Sequence, residues 1–282
     1  MILFNCGKPA LFATGDLHGE WGLLENYIKR NLTDCALVVC GDIGLGFESR
    51  GYYEQLFKKM NRTFDNLNVE VFLLRGNHDD PTYFSEESDL RDSYPNIHIC
   101  PDYSVLRMED IGRNFLLVGG AISVDRGWRI ANDRTRHASH MLYHKTDAKF
   151  RRSYWVNEPP VYDDNSIEYA LNEYTFIDGV FTHTCPSFCD PQSKDGIQAF
   201  IDADPVLTAD IEAERKVMDD IYAKLVERES KPKVWCYGHY HKHSLQEHDG
   251  TRFVMLDMAL SSKNSMDIYD VSRCFSINGR CR

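Results

Sequence analysis

The sequence predicts an α/β fold built on mixed β-sheets, and two observations support this class. Up to residue 80, buried strand-like runs alternate with helical patterns, beginning and ending with a strand. Short connections in this order predict parallel strands joined by right-handed crossovers. Between residues 97 and 123, strand-like runs follow one another without room for helices. This second pattern predicts an antiparallel meander, and therefore a mixed sheet system.

Periodicity and turn residues place the individual elements. Helices are predicted over residues 20–30, about 51–64, 166–174 and 208–229, the last with Thr208 as its N-cap. Strands are predicted to end at 15, 41, 74, 100, 108, 123, 186 and 238. Asp249-Gly250 then predicts the turn of a hairpin between 244–248 and 251–257.

The composition is that of an ordinary globular enzyme. Hydrophobic residues make up 43% of the 282-residue chain and charged residues 27%. With 43 acidic and 32 basic residues, the formal net charge is -11. Non-specific nucleic-acid binding depends on neutralising phosphates, so we expect no stable nucleic-acid partner. No convincing domain boundary is visible, and we expect a single domain over residues 1–282.

The cysteines and the first residues favour a cytoplasmic protein. Most of the nine cysteines lie in apolar strand-like runs, so we expect buried reduced thiols rather than a disulfide framework. The first six residues lack the charged region and the apolar length of a secretory signal. No apolar run approaches the ~20 residues that span a bilayer. We therefore expect no membrane association.

Residues 126–152 form a basic insertion in this acidic chain. They contain eight basic residues and two acidic ones. The segment is either a solvated surface helix or loop, or a flap that meets an anionic substrate, because clustered cations raise the local concentration of anions. Three histidines at roughly helical spacing leave a further metal site as another hypothesis: His137, His140 and His144.

Polar residues follow the predicted strands at the point where each strand ends. Arg75-Gly76-Asn77-His78-Asp79 follows a buried strand, and Asp42 follows another. Ligand sites of open α/β folds lie at this edge. The spacing in Asp16-x-His18 and in His239-x-His241 puts both side chains of each pair on one side of an extended segment. Carboxylates, imidazoles and an amide without cysteine favour Mn, Fe or Zn.

Four ordered motifs resemble those of the calcineurin-like metallophosphoesterase superfamily: Gly15-Asp16-x-His18-Gly19, Gly41-Asp42, Gly76-Asn77-His78-Asp79 and Gly238-His239-x-His241. Their order over most of the chain carries the resemblance, since each motif alone is weak. The resemblance implies a four-layer sandwich of two mixed β-sheets flanked by α-helices. It also implies a dinuclear centre of two divalent metal ions at the strand ends.

The same resemblance implies roles for the donors. One ion would be held by Asp16, His18 and His241, the other by Asn77, His183 and His239, with Asp42 bridging the two. A buried, hydrogen-bonded imidazole is the alternative for His183, because its motif is a lone histidine after a strand. His78 would protonate the leaving oxygen, supported by Asp79 or Asp80. Arg75 resembles the arginine that grips phosphate in the protein Ser/Thr phosphatase branch.

The function implied is hydrolysis of a phosphate mono- or diester by in-line attack of a metal-activated hydroxide. We expect a small phosphorylated substrate such as a nucleotide, because the chain is acidic. A protein Ser/Thr phosphatase is an alternative suggested by Arg75, although the segment after Asp42 departs from the pattern of that branch. Two further alternatives are a nuclease and a catalytically inactive metal-binding scaffold. Arg126 or Arg129 of the basic insertion is expected to reach the substrate if the segment is a flap.

Overall fold

The strands of the protein form two mixed sheets that pack face to face. A computed structural model describes residues 1–91, 93–144, 152–194, 196–260 and 265–275. In this part of the chain the strands are β1 (Leu3–Cys6), β2 (Leu11–Thr14), β3 (Cys35–Val39), β4 (Val69–Leu73), β5 (Ile97–Ile99), β6 (Ser104–Met108), β7 (Arg113–Val118), β8 (Gly179–Thr182), β9 (Val234–Tyr237), β10 (Ser244–His248), β11 (Thr251–Met255) and β12 (Ile268–Asp270).

The two sheets have different strand orders. The five-stranded sheet has the order β12-β2-β3-β4-β5. Its strands β2 to β5 run parallel, and β12 joins its edge antiparallel. The seven-stranded sheet has the order β1-β6-β7-β8-β9-β11-β10. There β6 with β7, and β11 with β10, are antiparallel, while the other neighbours are parallel.

Helices α1 (Trp21–Asn31) and α2 (Arg50–Leu67) cover the outer face of the five-stranded sheet, and α4 (Asp164–Tyr174) and α6 (Leu207–Glu227) cover that of the seven-stranded sheet. The other helices described are α3 (Arg126–His144), α5 (Gln198–Ala203) and the 3-10 helices Pro81–Phe84 and Val271–Phe275. The alternation of side chains along β3 shows how the layers form. Cys35, Leu37 and Val39 pack with apolar side chains of α1 and α2, whereas Ala36 and Val38 pack between the two sheets.

The seven-stranded sheet has the same alternation. Cys236 of β9 joins the core between the sheets, while Trp235 and Tyr237 pack with side chains of α4 and α6 such as Ile167 and Met218. Each central strand therefore buries both of its faces, which explains the nearly continuous apolar runs in the sequence. The arrangement of helix, sheet, sheet and helix confirms the predicted four-layer sandwich.

The predicted antiparallel meander is wrong in its first strand. β5 pairs parallel with β4 in the five-stranded sheet, and only β6 and β7 form an antiparallel pair. The turn after β5 places Tyr103 in the left-handed region, with φ 62°. This turn redirects the chain, so that β6 joins the opposite sheet. Periodicity identified the strands correctly, but it does not report which neighbour a strand chooses.

Most other predicted elements agree with the structure. The hairpin of β10 and β11 turns at Asp249-Gly250 as predicted. Thr208 is not the N-cap of α6, because the helix begins at Leu207 and Val206 occupies the cap position without a side-chain hydrogen bond. The basic insertion is helical over Arg126–His144, and residues 145–151 lie outside the described residues.

Eight of the nine cysteines lie in the described part of the chain, and each of them is a free thiol. Of the helices described, none combines the length and the apolar character needed to cross a bilayer. Among the three histidines of the basic insertion, His137 is half-buried, and the side chains of the other two lie outside the description.

Candidate metal centre

The carboxyl ends of five strands from both sheets meet in one place. β2, β3 and β4 come from the five-stranded sheet, and β8 and β9 come from the seven-stranded sheet. The residues that follow these strands carry the predicted donors: Asp16, His18, Asp42, Asn77, His183, His239 and His241. Donors that are up to 225 positions apart in the chain thus become neighbours through the parallel arrangement of the strands.

A first group of donors surrounds Asp16. His241 Nε2 lies 2.9 Å from Asp16 Oδ2 and 3.1 Å from His18 Nε2. His18 Nε2 lies 3.9 Å from Asp42 Oδ2. One ligand atom from each of these four residues lies within 4.8 Å of the corresponding atoms of the other three. Two carboxylates and two imidazoles therefore share one space of the size that a single ion requires.

A second group of donors surrounds Asn77. His183 Nε2 lies 3.1 Å from Asn77 Oδ1, and His239 Nδ1 lies 3.0 Å from the same oxygen. His183 Nε2 also lies 3.3 Å from Asp42 Oδ1. Asp42 therefore turns one carboxylate oxygen toward each group. The structure brings together all seven side chains, and the Asp42 carboxylate lies between the two groups.

Four of the donors have a left-handed backbone. The φ angles are 47° at His18, 47° at Asp42, 69° at His239 and 53° at His241. This conformation costs about 1–3 kcal/mol for each residue that is not glycine, and it persists only where the surrounding structure enforces it. Such strain is concentrated at functional sites, so its accumulation here marks the strand ends as more than ordinary turns.

Two glycines allow these turns to approach one another closely. A Cβ atom at Gly76 would overlap the backbone nitrogen and the side chain of Asp42. A Cβ atom at Gly238 would overlap Asp16 Oδ1 and would lie 2.9 Å from the Cys40 carbonyl oxygen. The glycines that precede the Asn-His and His-x-His motifs are thus required by close packing of the strand ends, and neither has the positive φ of a glycine turn.

The charges of the site fit divalent cations. Burial would raise the pKa of Asp42, but the neighbouring His78 and His183 hold the pKa of this carboxyl well below its usual range. Burial would also raise the pKa of Asp16, but His183 and His241 outweigh this effect and lower the pKa. Asp16 Oδ2 is buried and accepts no hydrogen bond in the described structure, although His241 Nε2 is 2.9 Å away. An ionised oxygen in this state is a suitable metal ligand.

Surrounding residues fix the orientation of two donors. His183 Nδ1 lies 2.7 Å from the Cys40 carbonyl oxygen, which places a hydrogen on Nδ1 and turns Nε2 toward the site. Asn77 Nδ2 donates to Ser123 Oγ at 2.9 Å, and this hydroxyl donates to Glu158 Oε2 at 2.7 Å. The amide oxygen of Asn77 therefore faces His183 and His239. The Ser123–Glu158 pair was not predicted from the sequence.

Comparison with known proteins agrees with this geometry. The family model for calcineurin-like phosphoesterases matches residues 10–243. The chain belongs to the calcineurin-like phosphoesterase family. No curated protein matches the chain.

A search of solved structures found similar chains at low sequence identity. One crystal structure has 16% sequence identity to this chain and a TM-score of 0.51. The match covers 94% of this chain and 95% of the other. TT1561 of Thermus thermophilus is 12% identical over 94% of this chain and 99% of its own, with a TM-score of 0.49. A dimetal phosphatase from Danio rerio is 12% identical over 89% of this chain and 88% of its own, with a TM-score of 0.46.

Asp79 organises a loop and does not support His78. This fully buried carboxylate accepts hydrogen bonds from the backbone N–H groups of Ile43 at 3.1 Å, Gly44 at 2.7 Å, Leu45 at 2.9 Å and Gly76 at 2.8 Å. It thus joins the loop after β3 to the loop after β4. The neighbouring Asp80 instead accepts from Thr82 at the start of a 3-10 helix. The predicted contact of Asp79 or Asp80 with His78 is therefore wrong, because the turn directs both carboxylates elsewhere.

We expect Asp79→Ala to lower the free energy of unfolding by about 3–5 kcal/mol, because it leaves four buried N–H groups without their acceptor. Urea denaturation monitored by circular dichroism measures this change. Asp80→Ala is the matched control, since it removes a carboxylate from the next residue and only a helix cap, for which about 1 kcal/mol is expected. Equal losses in the two variants would contradict the assigned role of Asp79.

Arg75 is buried against a distant loop. Its Nη1 donates to the Glu158 carbonyl oxygen at 2.6 Å, and its Nη2 donates to Asp102 Oδ2 at 2.8 Å. Further contacts reach the carbonyl oxygens of Asn157 and Pro159 at 3.2 and 3.4 Å. Only 5% of Arg75 is exposed. This placement contradicts the predicted grip on phosphate, because protein acceptors already occupy the guanidinium.

Arg129 of the basic insertion takes a place beside His78. Its Nη2 lies 2.6 Å from His78 Nε2, while its Nε contacts Asp125 at 2.7 Å. Burial and the charge of Arg129 lower the pKa of His78 to about 4, although Asp42 opposes this shift. His78 Nε2 also lies 3.8 Å from Asp42 Oδ2. Arg126 instead pairs with acidic side chains near α6, Asp204 and Asp210.

Lys194 is a second cation at the site, and it was not predicted from the sequence. Its Nζ lies 3.4 Å from His239 Nδ1 and 5.8 Å from the centre of the Tyr240 ring. It belongs to an irregular stretch that joins β8 to α5. No strand-end motif and no periodicity distinguishes this lysine from a surface residue.

Proposed function

We propose that this family member is a metal-dependent phosphoesterase that hydrolyses a small phosphate mono- or diester with two divalent cations. The observation that supports this proposal is the convergence of seven donors into two groups, with the Asp42 carboxylate between them. Such a pair of groups suits the two-ion sites of phosphoryl-transfer enzymes. The donor set of carboxylates, imidazoles and one amide favours Mn, Fe or Zn.

In this proposal the ligands divide as the two groups of donors do. Asp16, His18 and His241 would hold one ion and Asn77, His183 and His239 the other, with the Asp42 carboxylate available to both. When bound, the two ions supply Lewis-acid stabilisation of the phosphoryl oxygens and lower the pKa of a water molecule. The Ser123–Glu158 pair keeps the Asn77 oxygen turned toward the site.

His78 and Arg129 would complete the reaction. An arginine fork suits phosphate oxygens, and Arg129 lies within reach of the donor groups through its contact with His78. A substrate phosphate that draws the Arg129 guanidinium toward itself would free the His78 ring nitrogens. His78 would then hold a proton at a ring nitrogen and transfer it to the leaving oxygen, a role that contributes roughly 10²–10⁴-fold.

A small substrate is favoured over the alternatives. The protein Ser/Thr phosphatase hypothesis was based on Arg75, which is buried and occupied by protein acceptors. A nuclease is disfavoured by the net charge of -11. The inactive scaffold is disfavoured because the side chains needed for both donor groups are present and close to one another.

Hydrolysis assays of the purified protein test this proposal. We expect Mn²⁺-dependent turnover of p-nitrophenyl phosphate, of its bis ester or of nucleotides, and loss of that turnover with a chelator. Phosphoserine peptides and plasmid DNA should be poor substrates. A protein that binds two ions and hydrolyses no phosphoester would contradict the proposal and support a scaffold, whereas strand cleavage that disappears at moderate salt would support a nuclease.

A further inference from the structure

A cavity of about 290 Å³ opens beside the candidate metal centre. The loop that follows β8, together with α5 and α6, encloses it, and His239 and Tyr240 lie at its inner end. Because His239 belongs to the second group of donors, a phosphate held at that group would have this cavity next to it. The volume is at the lower limit of small-molecule sites, which suits a group of about one ring.

The walls of the cavity are apolar where α5 faces α6. Ile197 and Ile201 line one side, and Ile211 of α6 lines another. All three are only partly buried, so their apolar surface is not consumed by the core. Apolar surface that is left uncovered inside a concave site favours an apolar ligand group.

Of the charged residues that line the cavity, Glu214 and Arg215 are engaged by protein partners, whereas Glu212 is exposed to solvent. Glu214 accepts hydrogen bonds from Ile122 N and, at 2.5 Å, from Thr184 Oγ1. Arg215 donates to the carbonyl oxygens of Pro186 at 2.7 Å and Cys189 at 2.6 Å. Their charges therefore hold the surrounding loops and do not specify a charged ligand group.

Lys194 lies where the cavity meets the donors. Its Nζ is 3.4 Å from His239 Nδ1, and the same side chain lines the cavity. An ammonium group in this position can attract a phosphate oxygen as a point charge. Arg129 contacts His78 instead. The two cations thus contact different residues of the site.

We propose that this cavity binds the organic part of the substrate, that this part is an apolar ring carried by a small molecule, and that Lys194 binds the attached phosphate. This inference rests on the proposed function and narrows its substrate class to small aryl or arylalkyl phosphate esters.

Calorimetric titration of the Mn²⁺-loaded protein with two phosphonates tests the cavity without turnover. Benzylphosphonate carries a ring, methylphosphonate does not, and neither contains an ester bond to hydrolyse. We expect benzylphosphonate to bind about tenfold or more tightly than methylphosphonate, because a ring is buried. Ile201→Asn should reduce this preference by about tenfold and leave methylphosphonate binding unchanged. Phe200→Asn is the matched control, since Phe200 precedes Ile201 on α5 but does not line the cavity.

Lys194→Met tests the phosphate contact. The substitution should weaken the binding of both phosphonates by the same factor, about tenfold, while metal analysis still finds two ions per chain. Lys194→Arg should restore part of the loss. Ile211→Ala repeats the test of the cavity if Ile201→Asn does not fold.

Three results would overturn the inference. Equal binding of the two phosphonates by the unchanged protein would show that the ring is not recognised, even if phosphoesters are hydrolysed. Faster turnover of a phosphotyrosine peptide than of free phosphotyrosine would show that the ligand is not a small molecule. No binding of either phosphonate to a protein that holds two ions would overturn the proposed function as well.

Discussion

Replacing Asp42 with asparagine is expected to lower turnover of the preferred phosphoester by about 10³-fold or more, because the two-ion site supplies several kcal/mol of stabilisation. The Asp42 carboxylate has Oδ2 3.9 Å from His18 Nε2 and Oδ1 3.3 Å from His183 Nε2. Asparagine has nearly the same shape, but it offers one neutral oxygen in place of two charged ones. The variant should therefore fold and lose bound metal.

Metal content and kinetics are measured on the same preparation. We expect about two ions per chain in the unchanged protein and one or fewer in Asp42→Asn. In this variant kcat should change more than KM. Asp89→Asn is the control, because it makes the same chemical change at an exposed residue, which pairs with Arg50 on the surface. Two retained ions together with normal turnover would show that Asp42 does not bridge the groups.

Removing the imidazole of His78 is expected to lower turnover by roughly 10²–10⁴-fold while leaving the metal content unchanged. His78 lies against Arg129 and next to Asp42, yet it belongs to neither group of donors. The loss should be greatest for esters with poorly acidic leaving groups, because these depend most on a proton donor. Such a difference separates an acid role from general damage to the site.

Kinetics of His78→Ala on a series of aryl phosphates measure this dependence. The slope of log kcat against leaving-group pKa should become steeper in the variant. His243→Ala serves as the control, since His243 is about half exposed and pairs with Asp267. Equal loss for all leaving groups, or no loss at all, would remove His78 from the proton-transfer step.

The strand ends that carry the seven donors could be found from the sequence, because each donor lies one to four residues after a strand. The choice of these seven without His78 came from the family resemblance. A buried apolar run fixes where its strand ends, and parallel strands present those ends at a common edge. Asp16, Asp42 and Asn77 could therefore be assigned to one site without knowing any distance between them. The left-handed backbone at His18 and His239 was not visible, since tertiary packing imposes it.

The other side chains of the site depend on contacts that no local pattern records. Arg75 lies beside the motif in the chain, but carbonyl oxygens from a loop 82 to 84 residues later surround its guanidinium. Asp79 follows His78 directly, yet the turn directs its carboxylate toward the amides after β3. Lys194 lies in an irregular segment whose path depends on the packing of α5 and α6.

The sequence of the basic insertion likewise did not show which of its arginines reaches the site. Its positive charge suggested a flap beside an anionic substrate as one alternative, and the structure places Arg129 beside His78. Charge alone did not distinguish Arg129 from Arg126, which pairs with Asp204 and Asp210. Only the direction of each side chain from α3 separates the two arginines.

Anomalous diffraction from crystals grown with Mn²⁺ tests the central proposal most directly. We expect two peaks about 3.5–4 Å apart, the spacing of two-metal sites, with Asp42 contacting both. One peak should lie among Asp16, His18 and His241, and the other among Asn77, His183 and His239. A single peak, or manganese bound away from these side chains, would contradict the proposed dinuclear centre.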